Sequence, residues 1–275
     1  MISRISITGL KDFLLCPRKI YFSNVLRIEK KKKSVRFAFG TAFHSGATPV
    51  WLGRKNAFAL SWVGFRGDKS ITYDDRLLGN WDGCMEKGRV MSKGLETFLH
   101  ENDLEIVNGK RGLEIPGTKE IDKMTVSYRV DARAKVKRFP MIIGGVEKKI
   151  SGSVIFDLKT AAQQYPIHAA RRSIQLSGYS YLSEEPPDFA AFLIVTKAKS
   201  PKIQVVGVKV DQRLLKEFEE TTKGAIAYLN TGVYPANRGD HCNYCDFYEL
   251  CYGSKDGDKK KNVNKLFKRR SRSRP

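Results

Sequence analysis

The segment VIFDLKTA, residues 154–161, sets an acid and a base two positions apart, Asp157 and Lys159, inside an apolar, β-branched run. Side chains alternate along a strand with period two, so both fall on one face. Burying a charge is costly unless it is paired or holds a metal, so this pair points to chemistry rather than packing. The same spacing recurs at Glu29/Lys31, Glu147/Lys149 and Asp258/Lys260, but those pairs lie in lysine runs or a glycine-flanked turn. Asp131, in SYRVDARAKV, lies one predicted strand upstream, and antiparallel pairing could bring it beside Asp157. Two carboxylates so placed suit a hard divalent cation such as Mg²⁺, which takes a few carboxylates together with water and phosphate oxygens. Lys159 would then face the same phosphate. A strand-exposed salt bridge is the alternative reading of Asp131.

The next predicted helix carries Gln175 and Tyr179, four residues apart and hence on one face, where they could reach nucleic-acid backbone or bases beside a metal. Core packing competes as a reading of Tyr179, as packing or a satisfied hydrogen bond does for His44.

Three thiols crowd into HCNYCDFYELCYG, where Cys242, Cys245 and Cys251 form C-x2-C-x5-C, a strong metal-cluster signal. Zinc and a cubane iron-sulfur cluster each accept four thiolates, and Cys16, in LLCPRKIYF, is the best fourth ligand. Cys84, in WDGCMEKG, reads as a buried apolar residue.

Around these residues the 275-residue chain is basic throughout, with a formal charge of +21. Residues 255–275 hold ten basic and two acidic side chains and almost no apolar ones, which predicts a disordered tail making non-specific phosphate contacts, or merely aiding solubility. The remaining residues keep +13 and are predicted to form one domain, 1–254. Such charge suits nucleic acid first and an anionic membrane surface second. No apolar run is long enough to span a bilayer, and MISRISITGLKDFLLCPRKIYF lacks the pattern of a signal peptide, so an intracellular (cytoplasmic) protein with no membrane partner is expected.

The front third reads as helical: SITGLKDFLLC, then a helix opened by Pro17, then a glycine-initiated helix carrying His44, then a helix through DRLLGNWDGCMEKGRVMSKGLETFLHEN. From residue 112 the pattern turns to strands bounded by Gly or Pro: GLEIPG, KMTVSYRVDARAKV, PMIIGG and SVIFDLKT. YPIHAARRSIQLSGYSYLSEE is predicted as a helix, FAAFLIVTKA and KIQVVGVKV as strands, and DQRLLKEFEETTKGAIAYLN as an amphipathic helix with an Asp cap. The fold class is α/β, with a mixed central sheet flanked by helices.

In order, GTAFH (40–44), Glu114 in GLEIPG, RVDARA with Asp131, FDLKT with Asp157 and Lys159, and QLSGY (175–179) resemble the PD-(D/E)XK nuclease superfamily, specifically its RecB-type branch. The likeness covers residues 40–180; the customary glycine before the acid of RVDARA is absent, and Glu105 and Glu120 compete with Glu114. It implies a restriction-endonuclease-like core hydrolysing phosphodiester bonds in DNA. His44, Asp131 and Asp157 would hold Mg²⁺ or Mn²⁺, with the Leu158 carbonyl as a further ligand. Lys159, its pKa depressed by the cation, would activate water, and Gln175 and Tyr179 would position the strand. The cysteine frame is similar to the iron-sulfur staple of AddB-type helicase-nucleases and of the CRISPR-associated spacer-acquisition nucleases. That implies a 4Fe-4S cluster on Cys16, Cys242, Cys245 and Cys251 tying the helical N-terminus to the C-terminus, with zinc as the alternative. The expected activity is a DNA exonuclease acting on single strands or ends in recombination, repair or CRISPR adaptation, beside a helicase or adaptation proteins. The rivals are a structure-specific endonuclease and a non-catalytic nucleic-acid-binding protein with a structural zinc.

Overall fold

The computed structural model describes residues 2–253 and 266–270. In chain order the elements are β1 (Arg4–Ser6), α1 (Ile7–Leu15), α2 (Pro17–Ile20), a π-helical turn (Tyr21–Val25), β2 (Ile28–Lys30), β3 (Lys33–Ser34), α3 (Val35–Ala47), α4 (Phe58–Val63), β4 (Ile71–Thr72) and α5 (Trp81–Glu101). There follow β5 (Leu104–Ile106), β6 (Leu113–Ile121), β7 (Met124–Ile143), β8 (Val146–Ala161), α6 (Ile174–Leu182), β9 (Phe189–Thr196), β10 (Ile203–Lys209), α7 (Gln212–Asn230), α8 (Tyr248–Tyr252) and β11 (Phe267–Arg269). The α/β class with a mixed sheet is as expected. Two compact units share the chain: Ser34–Gly117 with Tyr128–Phe218, and Met1–Lys33 with Thr118–Ser127 and Glu219–Pro275.

In the larger unit, β7 and β8 form a long antiparallel hairpin turned at Gly144 and Gly145, both of which have positive φ. β8 pairs parallel with β9, β9 antiparallel with β10, and β10 parallel with the far end of β7, so the sheet is mixed. The two strands expected on either side of Pro140 are one. β7 runs through Pro140, and a bulge between Val136 and Phe139 absorbs the irregularity; there Arg138 adopts φ 51° and its N–H turns to the Ser151 hydroxyl at 3.1 Å.

Helices α3, α4 and α5 hold an aromatic cluster in which Phe39, Phe43 and Phe58 touch one another, Phe58 touches Trp62, and Trp62 touches Trp81. Its tightness depends on Gly46 and Gly88. A Cβ at Gly46 would lie 2.5 Å from the Phe58 backbone, and one at Gly88 would lie 1.9 Å from the Phe58 ring. Helix α3 begins at Val35, capped by the Ser34 hydroxyl, so Gly40 sits inside the helix rather than opening it. Helix α6 is shorter than the sequence suggests, because the Ser173 hydroxyl accepts from Leu176 N at 3.1 Å and starts it there. Asp211 caps α7 as expected, through Leu214 N at 2.8 Å.

In the smaller unit, Ser6 caps α1, and Cys16 is extended between α1 and the Pro17 that opens α2. The later segment 234–237 bonds back to this turn, with Arg18 N on the Pro235 carbonyl at 3.2 Å and Asn237 Nδ2 on the Leu15 carbonyl at 2.9 Å. β11 pairs antiparallel with β2, Phe267 opposite Lys30. Within the basic tail the described residues 266–270 thus include a short strand, and residues 254–265 and 271–275 lie outside the described residues. No described helix is long and apolar enough to cross a membrane.

Candidate active site

Register places the first three groups. The β7–β8 ladder pairs Ala132 with Phe156, so Asp131 and Asp157, one residue further along, lie opposite each other, and strand alternation puts Lys159 on the same face. Asp157 is 2% exposed. Lys159 Nζ lies 2.6 Å from Asp157 Oδ2 and 5.9 Å from the centre of the Phe192 ring, β8 being paired to β9 with Asp157 opposite Phe192. Asp157 Oδ2 is buried, and the Lys159 ammonium is its close ionic partner.

The other oxygen is fully engaged. Gln175 Nε2 donates to Asp157 Oδ1 at 2.6 Å and to the Tyr179 hydroxyl at 2.7 Å, and that hydroxyl donates to the same Oδ1 at 3.4 Å. Gln175 and Tyr179, expected to position a nucleic-acid strand, are hydrogen-bonded to Asp157. Tyr179 is buried, so its hydroxyl has only inward partners, and burial raises its pKa.

His44, on α3, brings Nδ1 to 3.4 Å from Asp131 Oδ2, which also accepts the Leu158 N–H at 2.7 Å. Leu158, expected to offer its carbonyl, is thus seen to offer its N–H to Asp131. Glu114 completes the cluster: single ligand atoms of His44, Glu114 and Asp131 all lie within 4.8 Å of one another, the only such metal-capable set among the described residues. Glu105 sits on β5 opposite Lys135, and Glu120 belongs to the other unit. Glu114 adopts φ 50°, a left-handed conformation costly for a non-glycine residue, in the strand position that aims it here. Sequence reasoning overlooked Arg129, which lies 3.7 Å from Glu114; its place two residues before Asp131 on the same strand face was the available signal.

Burial pushes the Asp157 carboxyl up to about 6, since the attraction of Lys159 does not offset the loss of solvent and the negative charge of Asp131. Burial, then the Asp131 charge, raises Glu114. Burial alone would lower Lys159, but Asp157 and Asp131 outweigh it, so within this chain the amine is raised rather than depressed. His44 is likewise raised, Asp131 outweighing burial. One imidazole nitrogen and two carboxylates converging beside the buried Asp157 carboxylate make a donor set that fits a hard divalent cation.

Residues 146–252 match the family model of the PD-(D/E)XK nuclease superfamily. The matched stretch contains Asp157, Lys159, Gln175 and Tyr179, and it supports a nuclease domain of that superfamily. The fold is similar to the crystal structure of a protein from Eubacterium rectale provisionally described as an exonuclease, with a TM-score of 0.50 and 15% identity over 88% of this chain and 87% of that one. The crystal structure of SSO0001 aligns over 92% of this chain and 87% of its own at 14% identity and a TM-score of 0.40. No curated protein matches in sequence.

In the smaller unit, Cys16, Cys242, Cys245 and Cys251 all line one small cavity. Phe247 N donates to Cys245 Sγ at 3.4 Å, and burial raises the thiols of Cys245 and Cys251. Cys84 lies apart, buried in the larger unit, as expected.

Proposed function

We propose that this protein is a divalent-metal-dependent DNA exonuclease that hydrolyses phosphodiester bonds on single strands or DNA ends. The observation that carries the reading is the convergence of His44, Glu114 and Asp131 beside the Asp157–Lys159 pair. His44, Glu114 and Asp131, with Asp157 adjoining, are the residues that would hold Mg²⁺ or Mn²⁺. When bound, the cation supplies Lewis acidity toward the phosphodiester and lowers the pKa of water. The chain's own groups do the rest. Gln175 and Tyr179 lock the Asp157 rotamer, as outer hydrogen bonds do around carboxylate ligands. Lys159 keeps its proton beside Asp157 and presents a fixed positive charge, placed to stabilise the negative charge that builds on the phosphate as water adds and the sugar oxygen leaves. The hydrophobic wall formed by Phe192 limits solvent around that charge.

The four cysteines are proposed to hold a 4Fe-4S cluster. They line one cavity together, as four thiolates that hold one metal centre must, with a structural zinc as the alternative. The proposed setting is intracellular DNA recombination, repair or CRISPR adaptation, with a helicase or adaptation proteins as partners.

The test is end-labelled single-stranded DNA incubated with anaerobically purified protein and Mg²⁺, Mn²⁺ or EDTA, beside K159A. Metal-dependent shortening from one end in the wild type alone supports the exonuclease. Discrete internal fragments would replace it with an endonuclease. No cleavage from cluster-loaded protein would leave a binding module. Iron, sulfide and zinc assays on the same preparation decide the cluster.

A further inference from the structure

The smaller unit holds a cavity of about 920 Å³, within the range of small-molecule and cofactor sites. Its walls come from the start of β1 and the residues before it, the π-helical turn and the residues after it, the end of α7 and the segment that follows, and Arg270 beyond β11. Three arginines line it, Arg4, Arg27 and Arg270, and no acidic residue does. Arg270 is already committed, donating to the Ser23 carbonyl at 2.6 Å and lying 3.7 Å from Glu29. Arg4 and Arg27 have no acidic partner among the described residues and are exposed. Arg27 sits at φ 56° directly after the π-helical turn, an irregularity of a kind common at functional sites, and its carbonyl is pinned by Arg270 N at 2.8 Å. Tyr21 and Tyr234, both half-buried, lie in the same wall with ring centres 5.5 Å apart and planes tilted by 32°, and Asn24 and Asn230 supply amide donors and acceptors.

A lone inorganic anion would need neither this volume nor the aromatic wall. Guanidinium groups free to take phosphate, beside a tyrosine pair, match a ligand that is anionic along one edge and planar and apolar along the other. We propose that this cavity is a second nucleic-acid site, holding a single-stranded segment by its phosphates at Arg4 and Arg27 with a base against Tyr21 and Tyr234. It rests on the nuclease reading only for the kind of polymer bound.

The experiment uses the full chain in EDTA, where no hydrolysis intervenes. An oligothymidylate carrying 4-thiothymine is photo-cross-linked to the wild type and the adducts are mapped, and its affinity is titrated against salt for wild type and R4Q/R27Q. Adducts on Tyr21 or Tyr234 are expected, together with a double variant whose log K against log salt slope is shallower by about 1.4, from about 0.7 for each single-strand phosphate that is no longer neutralised. Adducts confined to residues outside the cavity, or an unchanged slope in a double variant that melts like the wild type, would overturn the site. Should the double variant fold poorly, the wild-type adduct map decides alone. Competition by thymidine monophosphate as effective, per nucleotide, as the oligomer would overturn a strand site in favour of a free-nucleotide site. Because the adduct forms without metal, a protein that cross-links here yet never cleaves with Mn²⁺ would sink the catalytic reading and leave this one standing.

Discussion

Removing Lys159 should destabilise the protein in a way that grows with pH, and the size follows from Asp157. Its carboxyl has an ordinary value of 3.8 and is pushed up to about 6 in the fold with the ammonium 2.6 Å away. A raised folded value means that the contribution to stability is fully present below 3.8 and is lost as pH rises to the folded value. At about 1.36 kcal/mol per unit, the wild type loses about 3 kcal/mol between those limits and nothing further above 6. In K159A the carboxylate has lost its nearest cation, so its folded value rises again and the loss continues. Above the wild-type value, each further pH unit over which the variant's carboxyl stays protonated puts it about 1.4 kcal/mol further behind, while the two differ at pH 5 only by the packing of the lysine stem. The penalty stays below the 3–5 kcal/mol typical of stranding one member of a buried pair, because Asp157 can escape by protonation. Urea unfolding in EDTA at pH 5, 7 and 8, compared at equal m-values, measures this. A difference between wild type and K159A that is flat from pH 5 to 8 would refute the idea that Asp157 is a buried acid held ionised by Lys159.

Three further outcomes follow from the geometry. Glu114→Gln should weaken Mn²⁺ binding by calorimetry at least tenfold, the order seen for lesser changes around metal ligands, while Glu105→Gln, on a strand position opposite Lys135, should leave it unchanged. Gly88→Ala should lower the melting temperature: alanine gains about 1 kcal/mol in a helix, but a Cβ 1.9 Å from the fully packed Phe58 ring costs about 3 kcal/mol of overpacking. Asp188→Ala should cost about 1 kcal/mol at pH 7, allowing for its exposure, because Asp188 Oδ2 accepts from Ser153 N at 2.7 Å and Ser153 Oγ at 2.8 Å. Those bonds lower its pKa, so the cost should shrink as pH falls through the carboxylate range.

The centre of the site was legible because period-two alternation is a local rule. Asp157 and Lys159 in an apolar strand, and Asp131 on its antiparallel neighbour, needed only strand parity and one pairing to be placed together. What faces a side chain is not local. Spacing put Gln175 and Tyr179 on one helical face, but only the packing of α6 shows that this face meets Asp157. Glu114 could not be chosen over Glu105 and Glu120 from sequence, since its place depends on a left-handed backbone that side chains rarely adopt. Pro140 misled because a bulge just before it lets one strand continue through it. β11 was invisible because three residues among lysines carry no periodicity; its partner β2 lies far back along the chain, near the N-terminus.

The charges of the site also explain why its acids sit so uneasily in a chain of such positive charge. Burial and mutual repulsion raise both Asp157 and Glu114, even though His44, Lys159 and Arg129 stand within the cluster. The three cations are each tied to a different carboxylate, Lys159 to Asp157, His44 to Asp131 and Arg129 to Glu114, and do not offset the burial of Asp157 and Glu114. Stability alone would favour apolar replacements of similar volume, which often match or exceed a buried ion pair. The set makes sense as an arrangement that keeps several anionic oxygens converging while denying them full internal neutralisation, so that positive charge arriving from outside is strongly favoured. The same arrangement places the Lys159 ammonium, already proton-bearing, where a phosphate drawn to that charge would meet it.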